Sequence, residues 1–127
     1  MEKYDVQKWL DSYGDAWIAG DPEHVVRLFT ETARYRETPF DDAMIGREAI
    51  RKYWQEGAEG AQEAVEFSSQ VWFVDAQSAV AGWQTKFARK QSGIKVALDG
   101  VFRLQFRRSS DDYLCESLEE WWHRKEH

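Results

Sequence analysis

Residues 95–108, KVALDGVFRLQFRR, decide the fold. Val96, Leu98, Phe102, Leu104 and Phe106 share one side, a period of two that describes a strand with one buried face. Ala97 and Val101 interrupt the polar other side. Turn-forming residues bound the stretch, Gln91-Ser-Gly93 before it and Ser109 to Asp112 after it. Working backwards, Ser78 to Lys90 reads as a strand, Asp75-Ala-Gln as a turn and Ala64 to Val74 as another strand. Working forwards, Tyr113 to His123 reads as the last. The short turns between these strands make neighbours antiparallel.

Upstream of Gly60 the period changes. Val6, Trp9, Leu10, Tyr13, Ala16 and Trp17 recur at helical spacing, which predicts a first helix over residues 3–19 ended by Gly20. Asp21 as N-cap and Pro22 at the first helical position start a second helix, with Val25, Val26, Leu28 and Phe29 as its apolar face. Ala33 to Glu37 alternates and stops at Pro39, a first strand. Gly46 precedes REAIRKYWQE, a third helix whose Ile50, Tyr53 and Trp54 share a face, terminated by Gly57 and Gly60. Helices followed by a run of antiparallel strands predict an α+β domain with the helices on one sheet face. Val65, Phe67, Val71 and Phe73 are expected opposite Trp72 and Val74, so both faces carry apolar residues. A homodimer through the outer sheet face is the expectation, with scattered exposed apolar residues as the alternative.

A chain of 127 residues with 43% hydrophobic and 15% aromatic residues, seven of them Trp, is expected to form one domain over 1–127 with a substantial core. A formal charge of −6 argues against nucleic acid or an anionic membrane as partner, since both reward basic surfaces. The single cysteine, Cys115, fits a reducing compartment, and MEKYDVQKWL lacks the pattern of a signal peptide, so a cytoplasmic protein is expected. No Cys/His or carboxylate spacing points to a metal, and no glycine-rich phosphate loop follows a strand, so no cofactor is expected.

The element order, together with AGDPEHVVRLFTETA, IGREAIRKYW and the terminal LEEWW, resembles the nuclear transport factor 2-like superfamily and, within it, the SnoaL-like bacterial proteins. That resemblance spans nearly the whole chain. It implies a cystatin-like fold, three N-terminal helices packed in a cone against a strongly curved, mainly antiparallel sheet, with an apolar cavity between them. The superfamily hosts isomerases, cyclases, hydrolases, dehydratases and non-catalytic binding proteins, so fold alone does not assign function.

Within the superfamily, comparison with ketosteroid isomerase implies three catalytic positions. Its tyrosine lies seven residues before the Gly-Asp that ends the first helix, which falls on Tyr13. Its base falls on Glu37 when the count runs from LFTETA, and its aspartate on Asp99 of ALDGVFRL. The enzyme's base directly precedes a proline, whereas Glu37 stands two before Pro39; anchoring on the proline selects Thr38 instead. Glu37 shares a strand side with Ala33 and Tyr35, which favours it, while a strand-end carboxylate paired with Arg34 or Arg36 is the plainer alternative. Strict alternation points Asp99 outward unless a bulge at Asp99-Gly100 turns it in. Trp17, Tyr35, Tyr53, Trp54, Trp83, Phe87, Phe102 and Trp121 are candidate walls of the cavity, or its filling. Of Glu119 and Glu120 one faces inward, and Glu119 does so if Trp121 does. The resulting expectation is a small hydrophobic ligand and, if there is chemistry, cofactor-free acid–base catalysis of isomerase, cyclase or hydrolase type. A non-catalytic binding or dimerisation module is the alternative.

Overall fold

The computed structural model describes residues 1–127. Its elements are α1 (Lys3–Ala19), α2 (Pro22–Arg27), β1 (Phe29–Arg36), β2 (Met44–Ile45), α3 (Arg47–Trp54) with a π-helical turn (Gln55–Glu59), β3 (Gln62–Asp75), β4 (Ser78–Arg89), β5 (Lys95–Ser109) and β6 (Asp112–Glu126). Gly20 closes α1 in the left-handed region, φ 62°, a conformation that glycine adopts without penalty. Its N–H donates to the Trp17 carbonyl, and the Asp21 N–H donates to that of Ala16. The Asp21 side chain then accepts from the His24 N–H at 3.2 Å, which starts α2.

α2 ends at Arg27, earlier than the apolar pattern implies, and Phe29 belongs to β1. The Leu28 carbonyl explains the break. It accepts from the Cys115 N–H at 2.9 Å and from the Trp9 indole N–H at 2.9 Å, so it is committed to the sheet and to α1 instead of a further helical turn. β2, only two residues long, is too short to leave an alternation in the sequence.

The strands form one mixed sheet in the order β2-β1-β6-β5-β4-β3, with β1 parallel to β6 and every other pair antiparallel. This corrects the expected cone. The sheet is open, with β2 and β3 as free edges, and is neither closed nor strongly curved. Strong curvature is introduced by bulges at repeated positions along the strands. The long β4–β5 pair instead runs from Ser78–Gln105 to Ala88–Lys95 without a register shift.

Bulges do occur on either side of that pair, in β3–β4 and β5–β6, and they redirect side chains. Between Val71 and Phe73 the β3–β4 register slips. Phe73, expected inward with Val71, is therefore 61% exposed, and Val74 packs against the core instead. Between Gln105 and Phe106 the β5–β6 register slips past Glu116. Cys115 is buried on one parity, then Leu118 and Glu120 on the other.

The core lies between the inner sheet face and the helices. Trp9 packs edge-on against Phe29 and Phe106, and Tyr13 packs edge-on against Trp54 and Phe102. Gly100 makes room for the Trp83 ring: a Cβ there would lie 2.7 Å from the indole and 2.8 Å from the Trp121 carbonyl oxygen.

Candidate functional site

The inner face is not filled along its whole length. A cavity of about 210 Å³ remains between α1, α3 with its π-helical turn, and the far ends of β4, β5 and β6. Tyr13 and Trp17 on α1, Tyr53 and Trp54 on α3, and Trp83 and Phe87 on β4 give it aromatic walls. Val96 and Leu98 of β5 complete the apolar side.

Polar groups enter from β1 and β6. Tyr35 and then Glu37, which directly follows the strand end, project to the same side, as strand alternation requires. The Trp122 indole N–H donates to the Glu37 carbonyl oxygen at 3.0 Å and ties that end of β1 to β6. Glu120 and Trp122 enter from β6, and Glu37, Glu120 and Trp122 also border an adjoining surface groove beside Phe40. The two carboxyl groups therefore stand at an opening of the cavity, Glu37 half-buried and Glu120 only 7% exposed.

Burial, and secondly the neighbouring Glu37, push the Glu120 pKa well above the usual carboxylate range. Tyr13 and Tyr35 share a hydrogen bond of 2.8 Å between their hydroxyls, and burial raises the pKa of both. Tyr53 is raised as well, first by burial and then by Glu120 and Glu37. The site thus brings buried hydroxyl groups, and a carboxyl group whose charged form burial and Glu37 disfavour, beside a second carboxyl group. The indole N–H groups of Trp54 and Trp83, both buried, have no acceptor.

The residues singled out from sequence divide accordingly. Tyr13, Trp17, Tyr35, Glu37, Tyr53, Trp54, Trp83 and Phe87 border the cavity. Asp99 does not: β4 and β5 pair Gln84 with Asp99 and Trp83 with Gly100 without a bulge, so Asp99 stays on the outer face, where it accepts from Gln84 at 3.3 Å. Glu119 and Trp121 also lie on the outer face, because the β6 bulge puts Glu120 and Trp122 inward. Glu119 pairs with Arg103, whose guanidinium lies 5.9 Å from the Trp121 ring centroid. Phe102 is fully buried beneath the site, stacked on Trp83 at 5.0 Å between ring centroids. Glu120, Trp122, Arg89 and Arg124 border the cavity without having been singled out as site residues. For Glu120 and Trp122 a signal existed: Leu118, the last aliphatic residue of the strand, sets their parity.

On the outer face Trp72, Phe73 and Trp121 are exposed. Trp72 lies against Gly82, which pairs with Val101, which pairs with Trp121, so an apolar row crosses the sheet. No group of three or more His, Cys, Asp or Glu side chains is placed to hold a metal ion. No helix is long and apolar enough to cross a membrane.

Residues 6–111 match the family model of the SnoaL-like domain. No curated protein matches the chain in sequence. Among solved structures it resembles a proposed scytalone dehydratase from Novosphingobium aromaticivorans, with 15% identity, a TM-score of 0.84, and coverage of 98% of this chain and 86% of that one. It also resembles the hexachlorocyclohexane dehydrochlorinase LinA-type3 from Novosphingobium barchaimii, with 8% identity, a TM-score of 0.79 and coverage of 98% and 88%. A third is the epoxide hydrolase/cyclase-like enzyme SalBIII, associated with pyran ring formation in the polyether salinomycin, with 17% identity, a TM-score of 0.77 and coverage of 92% and 89%. At these identities the likeness is one of fold.

Proposed function

The chain belongs to the SnoaL-like domain family, of nuclear transport factor 2-like fold, and from that premise we propose that its cavity binds a small organic molecule and moves a proton on it without a cofactor. Glu120 is the observation that carries this reading. A carboxyl group buried among aromatic rings costs stability unless it is neutral or paired, and such perturbed acids concentrate at working sites. In the proposed chemistry Glu37 accepts a proton from the ligand. Glu120, held protonated, donates a hydrogen bond or a proton to the oxygen where charge develops. The Tyr13–Tyr35 pair supplies a further hydroxyl on the same wall. The three solved relatives named for dehydration, dehydrochlorination and cyclisation support a reaction of the proton-transfer kind, each on its own substrate.

The test is a screen of carbonyl compounds for solvent deuterium uptake, read by NMR, with bound compounds identified separately by thermal shift. Glu37→Gln is expected to abolish exchange and leave ligand binding intact. An unchanged exchange rate would sink the assignment of the base. Binding without exchange in the wild type would favour a non-catalytic binding module.

A second reading concerns the outer face. The apolar row from Trp72 to Trp121 supports homodimerisation through that face, because monomers rarely leave such aromatic surface in water. Trp121→Glu is then expected to shift the sedimentation coefficient of a dimer to that of a monomer, while a wild type monomeric at high concentration contradicts the reading.

A further inference from the structure

The cavity has a second polar end. Arg89 on β4 and Arg124 on β6 border it together with Leu98 and Phe87, on the side away from Glu37. Both guanidinium groups lean on one carboxylate, that of Glu126, at 2.6 Å from Arg89 and 3.5 Å from Arg124. Two cations answered by a single anion leave a positive end on a cavity whose other end is acidic. The protein as a whole is acidic, so this local reversal of sign stands against the background.

Glu120, Trp122 and Arg124 occupy alternate inward positions of β6. At about 3.3 Å per residue, Glu120 and Arg124 are ~13 Å apart along the strand. The aromatic walls occupy the interval. The volume, about 210 Å³, exceeds the roughly 150 Å³ that admits one benzene and falls short of the roughly 300 Å³ at which pockets for drug-sized ligands begin.

We propose that the ligand is a small aromatic monocarboxylate, its ring between the Trp and Tyr walls and its carboxylate on Arg89 and Arg124. This rests on the reading that the cavity takes a small molecule, and it sharpens that reading to a charge and an orientation. Guanidinium groups bind carboxylates through paired N–H donors, and here the ligand competes with Glu126 for them. The carboxylate lies at the end remote from Glu37 and Glu120. The opposite end of the ring therefore meets the acidic pair.

Calorimetric titration with 3-phenylpropanoate and with its neutral isostere 3-phenylpropanamide tests this. The acid is expected to bind wild type at least about tenfold more tightly than the amide, the effect of one charge-assisted hydrogen bond. Added salt reduces the preference. Arg89→Gln with Arg124→Gln removes the preference, and Glu126→Gln, which frees both cations, increases it. The amide is the internal check that each variant still folds. Equal binding of acid and amide in wild type overturns the carboxylate assignment and leaves the cavity reading standing. Binding of neither probe overturns the aromatic monocarboxylate assignment, and the thermal-shift screen then decides the cavity reading separately.

Discussion

Two tryptophans on the helices of one core show how its ends differ. Trp9, at the closed end, packs edge-on against Phe29 and Phe106 and donates its indole N–H to the Leu28 carbonyl. Trp54, at the open end, is packed against Tyr13 and Trp17 as closely, yet its indole N–H has no acceptor. An unmade buried hydrogen bond costs about 1–3 kcal/mol, and the open end carries two, on Trp54 and Trp83. It also carries Glu120 and an unfilled volume. The closed end is built for stability, whereas the open end holds groups that stability alone would not select.

The largest expected effect breaks this contrast if it fails. Phe106→Ala at the closed end should destabilise by about 3–5 kcal/mol, the transfer cost plus a new void. Phe87→Ala, whose ring already borders the cavity, should cost about 1.5–3 kcal/mol, because the space it vacates joins space that exists. Urea unfolding of both variants measures the difference. Equal losses would mean that the open end is as tightly packed as the closed one.

Next in size is a substitution that closes the cavity from behind. Gly100→Ala places a Cβ against the Trp83 indole and the Trp121 carbonyl, an overpacking that costs about 1–3 kcal/mol. The backbone side is rigid, so the indole has to move toward the cavity that it lines. Ligand affinity should fall with stability, and calorimetric titration of a cavity ligand with Gly100→Ala and Phe87→Ala separates the two. A ligand that binds Gly100→Ala as tightly as wild type would show that Trp83 is not part of the wall it contacts.

How much of this was legible beforehand follows from where the strand period survives. β4 and β5 keep strict alternation, so the inward Trp83, Phe87 and Phe102 and the outward Asp99 follow from their positions. The resemblance argued for an inward Asp99, but the strand's own alternation argued the reverse, and alternation won. β6 contains a bulge, and one extra residue exchanges the faces of everything beyond it. Glu119 and Trp121 therefore exchanged roles with Glu120 and Trp122. A bulge leaves no mark in composition, and only the buried Leu118 betrays it. The open sheet was illegible for a related reason. Curvature depends on where bulges fall among the strand pairs, and the family likeness suggested a bend that the unbroken β4–β5 pairing does not make.

The smallest effect sharpens the comparison at a single proton. Glu120 faces Glu37 and the hydroxyls of Tyr13, Tyr35 and Tyr53, and burial raises its pKa in the folded protein above the unfolded value of about 4.3. The folded state therefore holds this proton more tightly than the unfolded chain does. Its stabilising contribution is complete below the unfolded pKa and is lost as pH rises through the folded one. Glu120→Gln, which mimics the protonated acid, should flatten that part of the stability profile and leave the protein at least as stable near neutral pH. Glu37→Gln removes the second cause of the shift and should move the decline to lower pH. Urea denaturation at a series of pH values reads both. If Glu120→Gln leaves the slope unchanged, Glu120 is not a buried acid in the folded protein. The open end would then lack the polar group that most distinguishes it from the end closed by Trp9.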